Sequence, residues 1–329
     1  MWAFTDEALT DWLSGALAEV ELTARSAVHA PDDPLLTAIA NHLTVAGGKR
    51  LRPVLALLAA QFGDRDSTQV IRAAAAVELV HTASLYHDDV IDEATVRRGV
   101  ASVNARWSNR VAILAGDYLI AKAAELCVPM GSTALDDQSR ILTRLVTGQL
   151  REILGPRPQD DPEVYYLNVI ADKTAALFAL AVRLGARAAG APAELTDPLG
   201  GYGEALGMAF QLTDDVLDVT ASVERSGKSA GADLRQGVAT LPLLRVSRGG
   251  GRTAVRLRRL LAAETLGAPG RRAAARLLRH SGAIAESVAE VERYVDKARS
   301  ALTALPTGPG RTALDDMCDL VLARSRALA

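Results

Sequence analysis

The chain has 329 residues, 49% of them apolar and 23% charged, with a formal net charge of −2. That apolar content excludes a disordered chain, and the near-balanced charge excludes a global basic field for nucleic acid. The two cysteines, Cys127 and Cys318, have no CxxC spacing, which argues against a thiolate metal site and suits a reducing compartment.

The opening MWAFTDEAL carries acid rather than base, so no signal peptide is expected, and no stretch of about 18 uncharged apolar residues follows. A cytoplasmic protein is expected. Ala and Leu abound, charges recur every three or four positions, and alternating runs are scarce, which predicts an all-α fold. Residues 1–20 hold a predicted peripheral helix. Turn signals at 29–34, 63–64, 155–162, 190–192, 249–251 and 306–310 are too short to be linkers, so one domain over 1–329 is expected.

Gly47-Gly48-Lys49-Arg50-Leu51-Arg52-Pro53 sets three cations just ahead of an apolar helix. Its glycines permit close backbone approach, and Pro53 suits a first helical turn. A long helix is predicted over Ile71–Asp92, and its Ala73–Ala76 run leaves room for close neighbours. That helix ends in Asp88-Asp89-Val90-Ile91-Asp92, followed by Arg97-Arg98-Gly99. Lys173-Thr174 precedes the apolar Ala175–Val182 segment. A second predicted helix, Gly203–Val219, repeats the acidic pattern as Asp214-Asp215-Val216-Leu217-Asp218, and Gly227-Lys228 comes after it.

At helical spacing, carboxylates at i and i+4 share a face one turn apart, with i+1 on the flank. Like charges so close repel and raise one another's pKa unless a cation lies among them. One such cluster reads equally well as a solvated helix end. Two inside apolar helices do not, because aspartate disfavours apolar surroundings unless neutralised. If the two helices face one another across a bundle, both acidic rims share one metal group. Magnesium prefers oxygen ligands and completes its shell with phosphate oxygens, while arginine and lysine bind phosphate directly. The residues point to a diphosphate held through metal. No GxxxxGK[ST], HExxH or GxSxG element competes, and the five histidines do not cluster as metal ligands.

The ordered set GGKRLRP (47–53), HDDVIDEATVRRG (87–99), GDYLIA (116–121), KTAALFALA (173–181), GMAFQLTDDVLD (207–218) and GKSAGADLRQGVATLP (227–242) resembles the trans-polyprenyl diphosphate synthase family. Its long-chain members of actinobacterial type are the most similar. The resemblance implies a single all-α domain around a deep central cavity, usually a homodimer, although some members work as heteromers. It makes Asp88, Asp89, Asp92, Asp214, Asp215 and Asp218 ligands for up to three magnesium ions. It places Arg97, Lys173 and Lys228 on an allylic diphosphate, with Gln211 as a polar neighbour. Gly48, Lys49, Arg52, His81 and Arg98 match the pocket for isopentenyl diphosphate. Two positions depart from the pattern: Val238 stands where lysine is frequent, and Gly148-Gln149-Leu150-Arg151-Glu152 replaces GExxQ.

The implied reaction is a prenyl transfer. The allylic C–O bond ionises, the alkene of isopentenyl diphosphate attacks, and a proton leaves to the released diphosphate. Thr174, Phe178 and Gln211 are candidates for the upper wall, and simple core packing is as good a reading of Phe178. Four and five residues before Asp88, Ser84 and Ala83 are candidates for the cavity floor, with Val80 and Val77 on deeper turns. A helical turn of about 5.4 Å is close to one isoprene unit. Small residues at the floor resemble those of long-chain members and favour a product of about C35–C50; the family resemblance further implies a menaquinone side chain as its destination, with at most transient membrane contact. The alternatives are a geranylgeranyl or farnesyl diphosphate synthase, a terpene cyclase and a non-catalytic partner subunit. The basic pattern at Lys49, Arg52 and Arg98 disfavours the cyclase, which needs only one diphosphate.

Overall fold

Asp6 starts the first helix, α1 (Glu7–Ala27), its carboxylate accepting the Leu9 N–H. Along α1, Leu9, Leu13, Ala16, Val20 and Ala24 recur at helical spacing and are buried. The computed structural model describes residues 2, 4–220, 240–249, 251–261, 268–279 and 281–326. Short helices α2 (Pro34–Ala40) and α3 (His42–Val45) lead to α4 (Leu51–Ala59), in which Pro53 lies in the first turn as expected.

The helix predicted from Ile71 begins earlier, because Ser67 caps it: α5 runs Thr68–Ile91, and its Asp92 C-cap N–H donates to the Asp88 carbonyl. Ala73–Ala76 are all buried, as are Val70, Val77, Leu79 and Val80. Each fully buried Val or Leu contributes roughly 1.5–3 kcal/mol. A two-residue hairpin follows, β1 (Val96–Arg97) against β2 (Val100–Ala101). Its turn residues Arg98 and Gly99 have φ of 51° and 79°, the left-handed pair that a tight hairpin turn requires. The sequence contains no alternating run that would have announced it.

Then come α6 (Val103–Arg106), α7 (Asn109–Cys127), α8 (Ser132–Leu154) and α9 (Pro162–Ile170). A π-helical turn over Ala171–Ala175 joins α9 to α10 (Ala176–Ala188). The second acidic helix is longer than predicted, α11 (Thr196–Thr220). The remaining described helices are α12 (Leu241–Arg248), α13 (Arg252–Leu261), α14 (Ala268–Arg279), α15 (Ala283–Leu302) and α16 (Pro309–Arg326). The fold is all-α, with one minimal hairpin among the described residues.

By contacts the chain divides into two compact units. The first holds Met1–Leu142, Leu177–Gly203 and Leu302–Asp316, and the second holds Thr143–Ala176, Glu204–Ala301 and Met317–Ala329. In the first unit, a Cβ on Gly185 would collide with the Ala56 carbonyl, so glycine is what lets α10 lie against α4. In the second unit, Val216, Leu243, Val246, Leu257, Ala274, Leu278, Ala283, Ile284 and Val288 form one apolar cluster. Among the described residues, no helix is long and apolar enough to cross a membrane.

Candidate active site

In the first unit, α5 delivers Asp89 to a fully buried position, where Arg97 from β1 meets its Oδ1 at 2.6–2.7 Å. The Asp89 carbonyl accepts bonds from the Ala94 N–H and from Asn104 Nδ2, which ties the hairpin to the helix end. Burial pushes the Asp89 carboxyl up, Arg97 opposes this, and Asp92 adds to it. Asp88 is half-buried and Asp92 exposed. His87 lies across Gly116, where a side chain would collide with its ring, and its Nε2 sits 3.1 Å from the Ile113 carbonyl.

A cationic cluster surrounds one carboxylate, Glu78, in the same unit. Arg50 Nη1 donates to Glu78 Oε1 at 2.7 Å, and Arg98 Nη2 lies 3.4 Å from the same oxygen. Arg50 also reaches Glu21 and the Thr44 carbonyl, and is itself buried. Thus the three cations of GGKRLRP have separate tasks: Arg50 anchors the loop, Lys49 is exposed, and Arg52 lies over the Phe178 ring at 5.0 Å. Both Arg50 (φ 50°) and Arg98 (φ 51°) hold left-handed backbone, which is costly for arginine. Gly48, at φ 150°, lets the backbone close on this pair: a Cβ would lie 3.2 Å from Arg98 Cζ and 3.3 Å from Arg50 Nη1.

His81 stands one turn beyond Glu78 and faces these cations. Its burial lowers its pKa well below 6.5, and Arg52, Arg98, Arg97 and Arg50 lower it further. The neutral imidazole is therefore the resident form near neutral pH. Gly48, Arg52, His81, Arg97 and Arg98, chosen from separate motifs, lie in one electropositive neighbourhood. Glu78, which holds it together, went unrecognised in the sequence; a lone acid within AAAAVELVHTA was the available signal. On the same helix Val77, Val80 and Ala83 are buried, while Ser84 is half-buried with its hydroxyl donating to the His81 carbonyl. Phe178 is fully buried beneath Arg52, so it packs in the core and carries a cation at once.

In the second unit a chain of neutral donors ends on Asp215. Thr174 Oγ1 donates to Gln211 Oε1 at 3.0 Å, Gln211 Nε2 donates to Asp215 Oδ1 at 2.8 Å, and the Tyr166 hydroxyl donates to Asp215 Oδ2. Asp214 meets Arg324 of α16 at 2.6 Å. Asp218 is half-buried. Lys173 and Thr174 sit in the π-helical turn, a feature that often marks functional positions. Lys173 Nζ pairs with Glu152, one of the residues where the chain departs from GExxQ. Gly148 gives the two segments room, because a Cβ there would lie 2.6 Å from the Lys173 amide nitrogen. Asp172 braces the turn through Arg144 and Arg151. Nothing in the sequence marks Arg324, which is 110 positions from Asp214; Tyr166, by contrast, stands seven before Lys173 on a helical face. Lys228 and Val238 lie outside the described residues.

Among the described residues, no three Asp, Glu, His or Cys side chains form a metal site by themselves. The donor chemistry nevertheless fits a hard cation. Asp89 Oδ2 is buried and receives no hydrogen bond, and an acceptor so placed calls for a cation or a proton.

The polyprenyl synthetase family pattern matches residues 33–268. The chain belongs to this family. This polyprenyl synthetase is 43% identical, over 86% of its length and 85% of the relative's, to nonaprenyl diphosphate synthase of Mycobacterium tuberculosis. It is 40% identical to heptaprenyl diphosphate synthase component 2 of Geobacillus stearothermophilus, covering 94% and 96% of the two chains. Its fold is similar to the crystal structure of geranylgeranyl pyrophosphate synthase from Corynebacterium glutamicum complexed with calcium and isoprenyl diphosphate. There the TM-score is 0.88 and the identity 40%, over 98% of this chain and 99% of the other. The protein is an enzyme, a trans-prenyltransferase that binds prenyl diphosphates.

Proposed function

We propose that this polyprenyl synthetase joins an allylic diphosphate to successive isopentenyl diphosphates, giving an all-trans product of about C35–C50. One observation carries the product length. Over the three turns of α5 before Asp88, the floor positions hold Ala83, Ser84, Val80 and Val77, none of them aromatic, while the Tyr86 hydroxyl is engaged by the Ile39 carbonyl. The nonaprenyl and heptaprenyl relatives support the same range. A geranylgeranyl synthase is the second reading, favoured by the 40%-identical Corynebacterium structure. A menaquinone side chain is the proposed destination and the cytoplasm the proposed location.

Gly48, Lys49, Arg52, His81 and Arg98 hold isopentenyl diphosphate in this reading, with His81 neutral so that it accepts or donates a hydrogen bond without adding charge. Arg97, Lys173 and Lys228 hold the allylic diphosphate. Asp88, Asp89, Asp92, Asp214, Asp215 and Asp218 are the proposed magnesium ligands, and phosphate oxygens complete the shell. When bound, magnesium supplies positive charge that stabilises the departing diphosphate. The Thr174–Gln211–Asp215 chain presents fixed dipoles to developing positive charge on the allyl group. Apolar walls keep water from the cation.

Val146, Leu150, Ile153 and Leu154 form an exposed apolar stripe on α8, which supports pairing with a second copy in a homodimer. The Geobacillus relative's designation as component 2 supports a heteromer as the alternative. The deciding experiment incubates purified protein with isopentenyl diphosphate, allylic primers of several lengths and magnesium, then chromatographs the hydrolysed products. Polyprenols of C35 or longer are expected. Products ending at C15 or C20 would overturn the length, and no elongation by the isolated chain would favour a partner-dependent enzyme.

A further inference from the structure

Residues 245–279 contain ten arginines and one acidic residue, Glu264, in a chain whose net charge is −2. On α12 the arginines serve the fold: Arg245 pairs with Glu163 at 2.8 Å, and Arg248 pairs with Asp161 and Glu163. The next two helices differ. Leu257 of α13, with Ala274 and Leu278 of α14, enters the apolar cluster of the second unit, which turns the opposite faces outward. Arg252, Arg256 and Arg259 recur at i, i+4 and i+7 and are exposed, with Arg258 beside them; Arg276 and Arg279 are exposed on α14. Among the described residues, Arg252, Arg256, Arg259 and Arg279 form no ion pair. Those four arginines differ in this from Arg245 and Arg248 of α12 on the same unit.

We propose that the outer face of α13 and α14 docks on an anionic phospholipid bilayer. This rests on the long-chain reading above, because a long polyprenyl tail is too apolar to leave through water. A basic amphipathic helix suits an anionic headgroup layer. Val255, 38% exposed in the same stripe, offers an apolar contact at the headgroup boundary. Single-stranded RNA is the less suitable polyanion. It is held largely by stacking on aromatic rings, and residues 241–280 contain no Phe, Trp or Tyr.

The test is co-sedimentation of the full chain, without substrate, on phosphatidylcholine vesicles and on vesicles with one third phosphatidylglycerol. The protein is expected to pellet with the anionic vesicles alone, and less so as salt is raised. Each arginine is worth roughly fivefold in partition, so the triple variant Arg252→Gln, Arg256→Gln, Arg259→Gln loses on the order of a hundredfold. Prenyl transfer by that variant in detergent is expected to match the parent, and its circular dichroism shows that it is folded. Absence of anionic-vesicle binding at low salt, or equal binding by the variant, overturns the proposal. So does complete displacement from vesicles by a stoichiometric amount of single-stranded RNA. Product length is read separately by chromatography, so failure of the long-chain reading is distinguishable from failure to dock.

Discussion

On α5 the buried carboxylate of the acidic motif, Asp89, is matched by a cation, Arg97; on α11 its counterpart, Asp215, is matched by the neutral donors Gln211 and Tyr166. The five-residue pattern is nearly the same, yet these partners differ in kind. Asp89 with Arg97 sums to zero, whereas Gln211 and Tyr166 bring Asp215 hydrogen bonds without bringing charge. In that second region a cation, Arg324, stands on the outer carboxylate, Asp214. A repeated sequence motif therefore does not repeat its partners. The partners come from elsewhere in the chain.

Removing an outer carboxylate from either region should have the largest effect. Asp88→Ala and Asp214→Ala are each expected to lower turnover on the order of 10²–10³-fold while leaving the thermal melt near that of the parent. Normal turnover in either variant would remove that motif from the reaction. Ala83→Phe comes next: the chromatogram should shift towards shorter products, and an unchanged distribution would exclude this position as a floor.

The buried pairs sharpen the contrast in stability. Asp89→Asn strands the Arg97 charge and should cost about 3 kcal/mol in denaturant unfolding. Tyr166→Phe deprives Asp215 of one neutral donor and should cost about 1–2 kcal/mol. Equal losses would mean that charge pairing and neutral caging are equivalent here.

The smallest effect belongs to His81. Its folded pKa lies well below 6.5, so between the two values the unfolded chain binds a proton that the folded chain does not. Its contribution is whole above about pH 6.5 and declines as pH falls towards the folded pKa. His81→Gln should flatten that part of the stability profile. A parent profile already flat from pH 7 to 5 would show that the imidazole does not face the arginine cluster.

Much of the molecule was legible before folding. The Ala-rich run marks α5, although its Ser67 cap and its start at Thr68 went unrecognised in the sequence, and the breaks at 29–34, 155–162 and 190–192 separate helices, with Pro34 and Pro162 opening the next ones. Both aspartate motifs, GGKRLRP and the Lys173-Thr174 pair were visible because spacing alone puts like charges where something must answer them. Glu78 was harder. A single acid inside an apolar helix reads as tolerated noise until Arg50 and Arg98, 28 and 20 residues away, are seen on the same oxygen.

Sequence by itself determined helix periods, caps and the clusters of unmet charge, since these depend on neighbours within about one turn. Only the tertiary structure decided which charge is answered and by what: Arg97 for Asp89, Tyr166 for Asp215, Glu78 for two arginines, nothing described for the outer stripe of α13. Pairing across the chain depends on burial and on which helices touch, and a buried charge is tolerated only where the fold brings a partner to it.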